Sequence, residues 1–419
     1  MNTLSFTFSL KKTCALTACA LTSFMLASSP LQAAPPAAKA VGTHASTSPS
    51  TLQVAVVSVA DDARYQPRRA ERRWPGHSTG RLLFAARLAV DDAQVQLQDA
   101  GLSLRLREAV AADAEQLATT LQQLQTDKVA YWLLDLPDAL MPQAVQAAQK
   151  AGALAINASS PLDSLRSQSC GASAVLHSYP SQSMLADALA QFLAARSWRE
   201  VLVLQGSSPA DQLQLQAWQR ASKRYGLKTT DTKTFKLSGD PRERDAANPK
   251  LLTAERKHEV VAVWDAEGEF ARSLVYATQW PRPVLGSSGL TALAWHAQWE
   301  RYGGPQLNRR FVKLAQRPMT GQDWAAWVGI KSLVTAWVAE PKGTPQTLAA
   351  RLRAGQVQVD GFKGQSLSYR AWDGQLRQPV LLAHADGVVQ TAPMEGVLHP
   401  IDTLDTLGVD DKESPCKTR

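Results

Sequence analysis

Apolar runs and amphipathic stretches alternate along most of this chain. Leu52-Gln53-Val54-Ala55-Val56-Val57-Ser58-Val59 is apolar, β-branched and uncharged, as suits a strand buried on both faces of a mostly parallel sheet. A polar loop (60–79) follows. Over 80–92 apolar residues return at three- and four-residue spacing, the period of a helix packed on that sheet. The same alternation predicts strands at 102–109, 129–134 and 153–157, with helices at 113–125 and 139–150 between them. Asp113 caps the first of these helices and Gly152 stops the second. Beyond 170–180 the pattern restarts. Helices are predicted at 181–196, 210–225 and 267–278, strands at 201–205, 229–235, 260–264 and 283–285, and a polar loop at 238–249.

The last third has no strand–helix series of its own. Helices at 290–302, 309–315, 322–339 and 344–354 and strands at 367–372 and 380–383 must therefore serve both earlier units. The fold class expected is α/β: two doubly wound, Rossmann-like lobes joined by crossovers. Lobe 1 would comprise 52–176 and 290–355, lobe 2 would comprise 177–289 and 356–395, and 396–419 would form a tail. Crossovers leave a cleft between lobes, and such clefts bind ligands and close by hinge motion.

In open α/β sheets, ligands lie outside the carboxyl ends of the strands. The polar residues placed there are the candidate ligand-binding set: Ser58, Asp135, Asn157, Ser159, Ser160, Gln205, Ser207, Asp265, Ser287 and Ser288. Hydroxyls, amides and helix-start N–H groups suit a small polar or anionic molecule. The bland reading of each is a helix cap. The 60–79 loop adds Arg64, Arg68, Arg69, Arg72, Arg73, Trp74 and His77, which either present guanidinium groups to an anion or acidic partner or form a solvated rim, the reading preferred here. Trp264 ends a strand and could floor the cleft, whereas Trp324 and Trp327, three apart on a helix, read as core.

Length and charge narrow the class. The 419 residues suffice for two domains. The net charge of +8 includes Lys11 and Lys12 of the leader and is otherwise dispersed, without the basic, aromatic-interleaved stripe of a nucleic-acid binder. Residues 1–33 have the order of an export signal: Lys11-Lys12, an apolar run, then Ser28-Ser29-Pro30-Leu31-Gln32-Ala33 as the cleavage region. Leu16-Thr17-Ala18-Cys19 resembles a lipoprotein box, but the apolar run continues past it, so cleavage near Ala33 is preferred to lipidation of Cys19. The Ala-, Pro- and Ser-rich stretch 34–51 reads as a disordered tether. The expectation is an exported, periplasmic, soluble monomer. Its two remaining cysteines, Cys170 and Cys416, would form one disulfide that pins the tail to the body, the alternative being two free thiols.

Catalytic templates fail. There is no G-x-S-x-G, no Walker A loop, no glycine fingerprint after Val59 and no H-E-x-x-H. Asp402, Asp405, Asp410 and Asp411 lack the glycine and terminal glutamate of a calcium loop and read as a solvated acidic tail. Cys170 and His177 are seven apart, but an exported thiol with a partner cysteine is oxidised rather than catalytic. No catalytic residue, metal or cofactor is assigned, and the chain is not expected to be an enzyme.

Leader, two α/β lobes and shared crossovers together resemble the type I periplasmic solute-binding proteins of branched-chain amino acid ABC transporters. The resemblance covers about 52–391 and includes Trp327-Val328-Gly329-Ile330-Lys331-Ser332-Leu333. Four segments look like one branch of that family, associated with PQQ-dependent alcohol dehydrogenase systems: Arg317-Pro318-Met319-Thr320, Phe362-Lys363-Gly364-Gln365-Ser366-Leu367, Trp372-Asp373-Gly374-Gln375-Leu376-Arg377-Gln378-Pro379, and the tail Asp405-Thr406-Leu407-Gly408 with Glu413-Ser414-Pro415-Cys416. The resemblance implies a binder of a small-molecule ligand that feeds an inner-membrane ABC permease and has no chemistry of its own. A PQQ-dependent dehydrogenase is a further implied partner, and a non-transport accessory or regulatory role beside it is the alternative. Leu134-Asp135-Leu136-Pro137-Asp138 departs from the serine- and glycine-rich turn of amino-acid-binding relatives. No acid stands near Ser287-Ser288 to hold an ammonium, which argues against an α-amino acid ligand.

Overall fold

The computed structural model describes residues 50–66, 77–170, 173–384 and 387–416. The export signal, its cleavage region and Cys19, the tether up to residue 49, and Arg68, Arg69, Arg72, Arg73 and Trp74 lie outside these residues.

The first lobe is built on β1 (Ser50–Val59), β2 (Leu102–Ala111), β3 (Tyr131–Asp135), β4 (Leu154–Asn157) and β5 (Val175–His177). They form a parallel sheet in the order β2-β1-β3-β4-β5. β1 shows why its sequence is apolar throughout. Leu52, Val54 and Val56 enter the core on one face, and Ala55, Val57 and Val59 enter the core on the other. The helices between the strands are α1 (Leu83–Asp99), α2 (Leu117–Thr126), α3 (Met141–Ala151) and the short α4 (Asp163–Ser167). Gly152 ends α3 in a left-handed conformation, as expected. Asp113 accepts from the Gln116 N–H one turn before α2 begins.

The second lobe starts with α5 (Gln182–Ala195), then β6 (Glu200–Gln205), α6 (Pro209–Arg224), β7 (Lys228–Thr234), the short α7 (Pro249–Leu252), β8 (Val260–Trp264), the short α8 (Ala271–Leu274), β9 (Val284–Gly286) and β10 (Leu290–Leu293). Its seven-stranded sheet runs β15-β14-β10-β9-β8-β6-β7, with β14 (Val380–His384) and β15 (Gly387–Ala392) antiparallel at one edge. Two helix expectations are corrected here. The 290–302 helix is absent: Leu290–Leu293 is instead a strand between β9 and β14, because its alternate residues have sheet neighbours to pack against on both sides. The 267–278 helix shrinks to α8, because the Asp265 carboxylate accepts from the N–H groups of Gly268, Phe270 and Ala271 and holds a turn there.

The chain then returns to the first lobe with α9 (Gly304–Ala315), α10 (Gly321–Ala339) and α11 (Pro345–Arg353). α10 packs on α1 and brings Trp324 and Trp327 into the first-lobe core, fully buried. A small antiparallel sheet of β11 (Val359–Asp360), β12 (Ser366–Tyr369) and β13 (Leu376–Arg377) sits against α10 and α11 and bridges to β5 through His177 and Gln375. From β13 the chain crosses to β14. Cys170 and Cys416 are joined in a disulfide. The tail is not a solvated acidic segment: Asp405 is fully buried against Arg370 and Arg377.

Candidate functional site

Residues after β1, β3, β4 and β5 of the first lobe and after β8 and β9 of the second line one cleft of about 1000 Å3. Of the ten candidates, Ser159, Asp265 and Ser287 line it. Their polar atoms are already engaged. Ser159 Oγ donates to Leu136 O (2.8 Å) and accepts from Leu136 N–H (3.2 Å). Asp265 caps the turn before α8. Ser287 Oγ accepts from Asp265 N–H (2.9 Å) and pairs with Gln214 Oε1 (3.4 Å).

Asn157 and Ser160 are fully buried behind this wall. Asn157 Oδ1 accepts from the N–H groups of Ser159 and Ser160, and Asn157 Nδ2 donates to Ser160 O. The turn's own donors are thus spent shaping it. Ser58 lies buried beside Asp135 in the β1–β3 register. Gln205 sits at the end of β6, next to Thr234 of β7. Ser207 is exposed and Ser288 half-buried, and neither lines the cleft.

Asp135 organises the first-lobe rim without touching the cleft. It accepts from Arg64 Nη2 (3.0 Å), Tyr65 Oη (2.6 Å) and Leu82 N–H (3.2 Å). Arg64 also donates to Asp62 through Nε and Nη2 (2.7 Å for the latter). Arg64 is therefore an ordered residue rather than part of a solvated rim, and it lines the cleft. Burial pulls its pKa down, but Tyr65, Asp135 and Asp62 outweigh that, so it stays protonated. Its Nη1 makes no hydrogen bond among the described residues, which leaves one cationic N–H group uncommitted at the rim.

Other lining residues were invisible in the sequence pattern. Tyr179 follows β5, a strand too short to register as a periodic run. Burial pushes its pKa up, so the hydroxyl remains a donor. Thr291 lies on β10, hidden by the helix expectation. Thr291, Ser78 and Trp264 line the cleft, and their Oγ1, Oγ and Nε1 atoms are buried without a hydrogen-bond partner among the described residues. Trp264 packs at 5.4 Å from Trp218, as an aromatic floor. Gly286 is required beside it: its φ is +107°, and a Cβ there would lie 2.3 Å from Val263 O.

Arg166 holds the first-lobe wall from behind. Fully buried, it donates to Ser160 O, Leu162 O, Tyr179 O and Gln375 Oε1, and burial lowers its pKa to about 10. Among the described residues no group of three or more His, Cys, Asp or Glu is placed to hold a metal ion.

No protein-family model matches the chain, and no curated protein matches it in sequence. Solved structures match its fold. The leucine-, isoleucine-, valine-, threonine- and alanine-binding protein of Brucella ovis, in a closed conformation, is similar with a TM-score of 0.67 at 12% identity, over 88% of this chain and 99% of that one. A branched-chain amino acid ABC transporter periplasmic ligand-binding protein of Burkholderia xenovorans gives 0.66 at 12% identity, over 87% and 99%. An ABC transporter solute-binding protein of R. palustris, in complex with benzoate, gives 0.62 at 13% identity, over 88% and 100%. At these identities the likeness establishes architecture: the chain has the two-lobed α/β fold of type I periplasmic binding proteins.

Proposed function

We propose that this chain is the periplasmic substrate-binding component of an ABC transporter. It is exported with cleavage near Ala33, closes on a small organic acid and presents the closed form to an inner-membrane permease. The observation that carries this reading is a cleft between two sets of strand ends, lined by polar side chains from both lobes. Arg64, although paired with Asp62 and Asp135, can offer its Nη1–H to a carboxylate, and Trp264 supplies an apolar floor for the rest of the molecule. The ligands named for two structural neighbours, leucine, isoleucine, valine, threonine and alanine for one and benzoate for the other, share a carboxylate with this class. Ser159, Asp265 and Ser287 shape the walls, and Asn157, Ser160 and Asp135 support them from behind.

The narrower reading, cargo belonging to PQQ-dependent alcohol oxidation, rests on the sequence segments quoted above and favours an alcohol's acid product. Titration of the purified protein with carboxylic acids, alcohols, amino acids and PQQ, followed by tryptophan fluorescence, tests both. Saturable binding of an acid, weakened about 10- to 100-fold by Arg64→Gln through loss of a charge-assisted hydrogen bond, is the expected result. Flat traces for every compound would overturn the transport reading in favour of an accessory role beside a quinoprotein dehydrogenase.

A further inference from the structure

We propose that the C-terminal segment 402–416 is a covalently anchored strap across the two lobes, which forms part of the cleft wall and limits how far the cleft opens. The segment leaves the edge of the second sheet after β15 and is gripped from both sides. On the second lobe, Tyr225 Oη donates to Thr406 O (2.7 Å) and Gln191 Nε2 to Thr406 Oγ1 (3.1 Å). Gly408 N–H donates to Asp187 (2.7 Å), while Arg224 and Arg220 donate to Gly408 O. Gln191 and Asp187 lie on α5, Arg220 and Arg224 on α6, and Tyr225 just past its end.

The same stretch is held by the β12–β13 hairpin, whose Tyr369 and Leu376 belong to the first-lobe core. Arg370 Nε donates to Asp405 (2.8 Å), and its Nη2 donates to Leu404 O (3.1 Å) and Leu407 O (2.6 Å). Arg377 Nε donates to Asp405 (2.9 Å), and Trp372 Nε1 to Val409 O (3.3 Å). Val409 itself lines the cleft. Gly408 fits because it has no side chain: its φ is +83°, and a Cβ would meet Met184 Cγ at 2.7 Å. A few residues on, Cys416 is bonded to Cys170, just past α4 of the first lobe.

Rotation about the three chain crossovers, after β5, β10 and β13, would pull these two sets of contacts apart. The disulfide keeps the far end of the strap on the first lobe. Opening must therefore break the α5–α6 contacts or stop, and reduction leaves non-covalent contacts with the β12–β13 hairpin to hold the strap on the first lobe, a weaker limit on opening.

The test needs no ligand. Ketone-bearing residues replace exposed Gln122 on α2 and exposed Lys257 in the second lobe, carry spin labels and leave both cysteines untouched. Distance distributions are measured by electron paramagnetic resonance for the oxidised protein, for the same protein reduced with a phosphine, and for Cys170→Ser/Cys416→Ser. The oxidised protein should give a narrow distribution. Reduction and the double variant should both broaden it and shift it to longer distances, with far-UV circular dichroism unchanged. Superimposable distributions would overturn the proposal. So would unfolding on reduction, which would make the bond a folding staple. If the double variant does not fold, the reduced wild-type protein decides.

Discussion

Replacing Asp405 by Asn tests the strap's central contact. The Asp405 and Arg370 side chains are each 1% exposed and the Arg377 side chain is 12% exposed. Asparagine keeps the shape but leaves two guanidinium groups facing a neutral amide away from water. Removing one partner of a buried ion pair costs about 3–5 kcal/mol, because the surviving charge has lost its compensation. At roughly 2.1 cal/mol/K per residue, a unit of about 370 residues unfolds with an entropy near 0.8 kcal/mol/K. The melting temperature should therefore fall by about 4–6 °C. Asp402 is the internal control. It stands 3.6 Å from Arg377 with a side chain 37% exposed, and an exposed pair contributes about 1 kcal/mol or less, so Asp402→Asn should shift the melt by about 1 °C. Calorimetric scans of the three oxidised proteins give the comparison. Coincident melts for the two variants would refute the buried-network reasoning.

Two further outcomes follow from the same physics. Lys363 Nζ is buried, lies 3.5 Å from the centroid of the Trp324 ring and, among the described residues, donates to the neutral acceptors Gln378 Oε1 and Pro379 O; burial holds its pKa well below the usual lysine value. Its folded-state pKa lies below its unfolded one, so the penalty for the charged form is full at low pH and fades as pH rises towards the unfolded value near 10.5. The stability of the wild type relative to Lys363→Met should therefore rise as pH climbs towards the unfolded lysine value, and a flat difference in urea melts would contradict this. Gly286→Ala forces a Cβ against Val263 O in left-handed backbone and should cost about 1–3 kcal/mol. A variant that melts with the wild type would show that the wall relaxes at no cost.

The fold was legible where burial leaves a compositional mark. β1 and β8 are apolar on both faces, and no amphipathic alternative fits them. Leu290–Leu293 misled because a short apolar run carries no period of its own; its pairing with β14 comes from residues some ninety positions later. The site was less legible because strand-end polarity is ambiguous between binding and capping. Asn157, Ser159 and Asp265 have the polarity expected of ligand contacts, yet their hydrogen-bonding capacity goes into turns. Arg64 stood among several arginines, and only the distant carboxylate of Asp135 sets it apart. Asp405 looked like one of four tail acids because its partners, Arg370 and Arg377, are some thirty residues upstream.

The apolar side of β1 that carries Leu52, Val54 and Val56 shares its core with Trp324, Trp327 and Tyr369, which a ribosome delivers only after β6 to β10 of the second lobe. The amino-terminal lobe therefore emerges as a half-covered sheet. It stays unfinished from the end of β5 at His177 until α10 begins at Gly321, and whichever factors receive the nascent chain must shield that greasy surface until the last helices arrive.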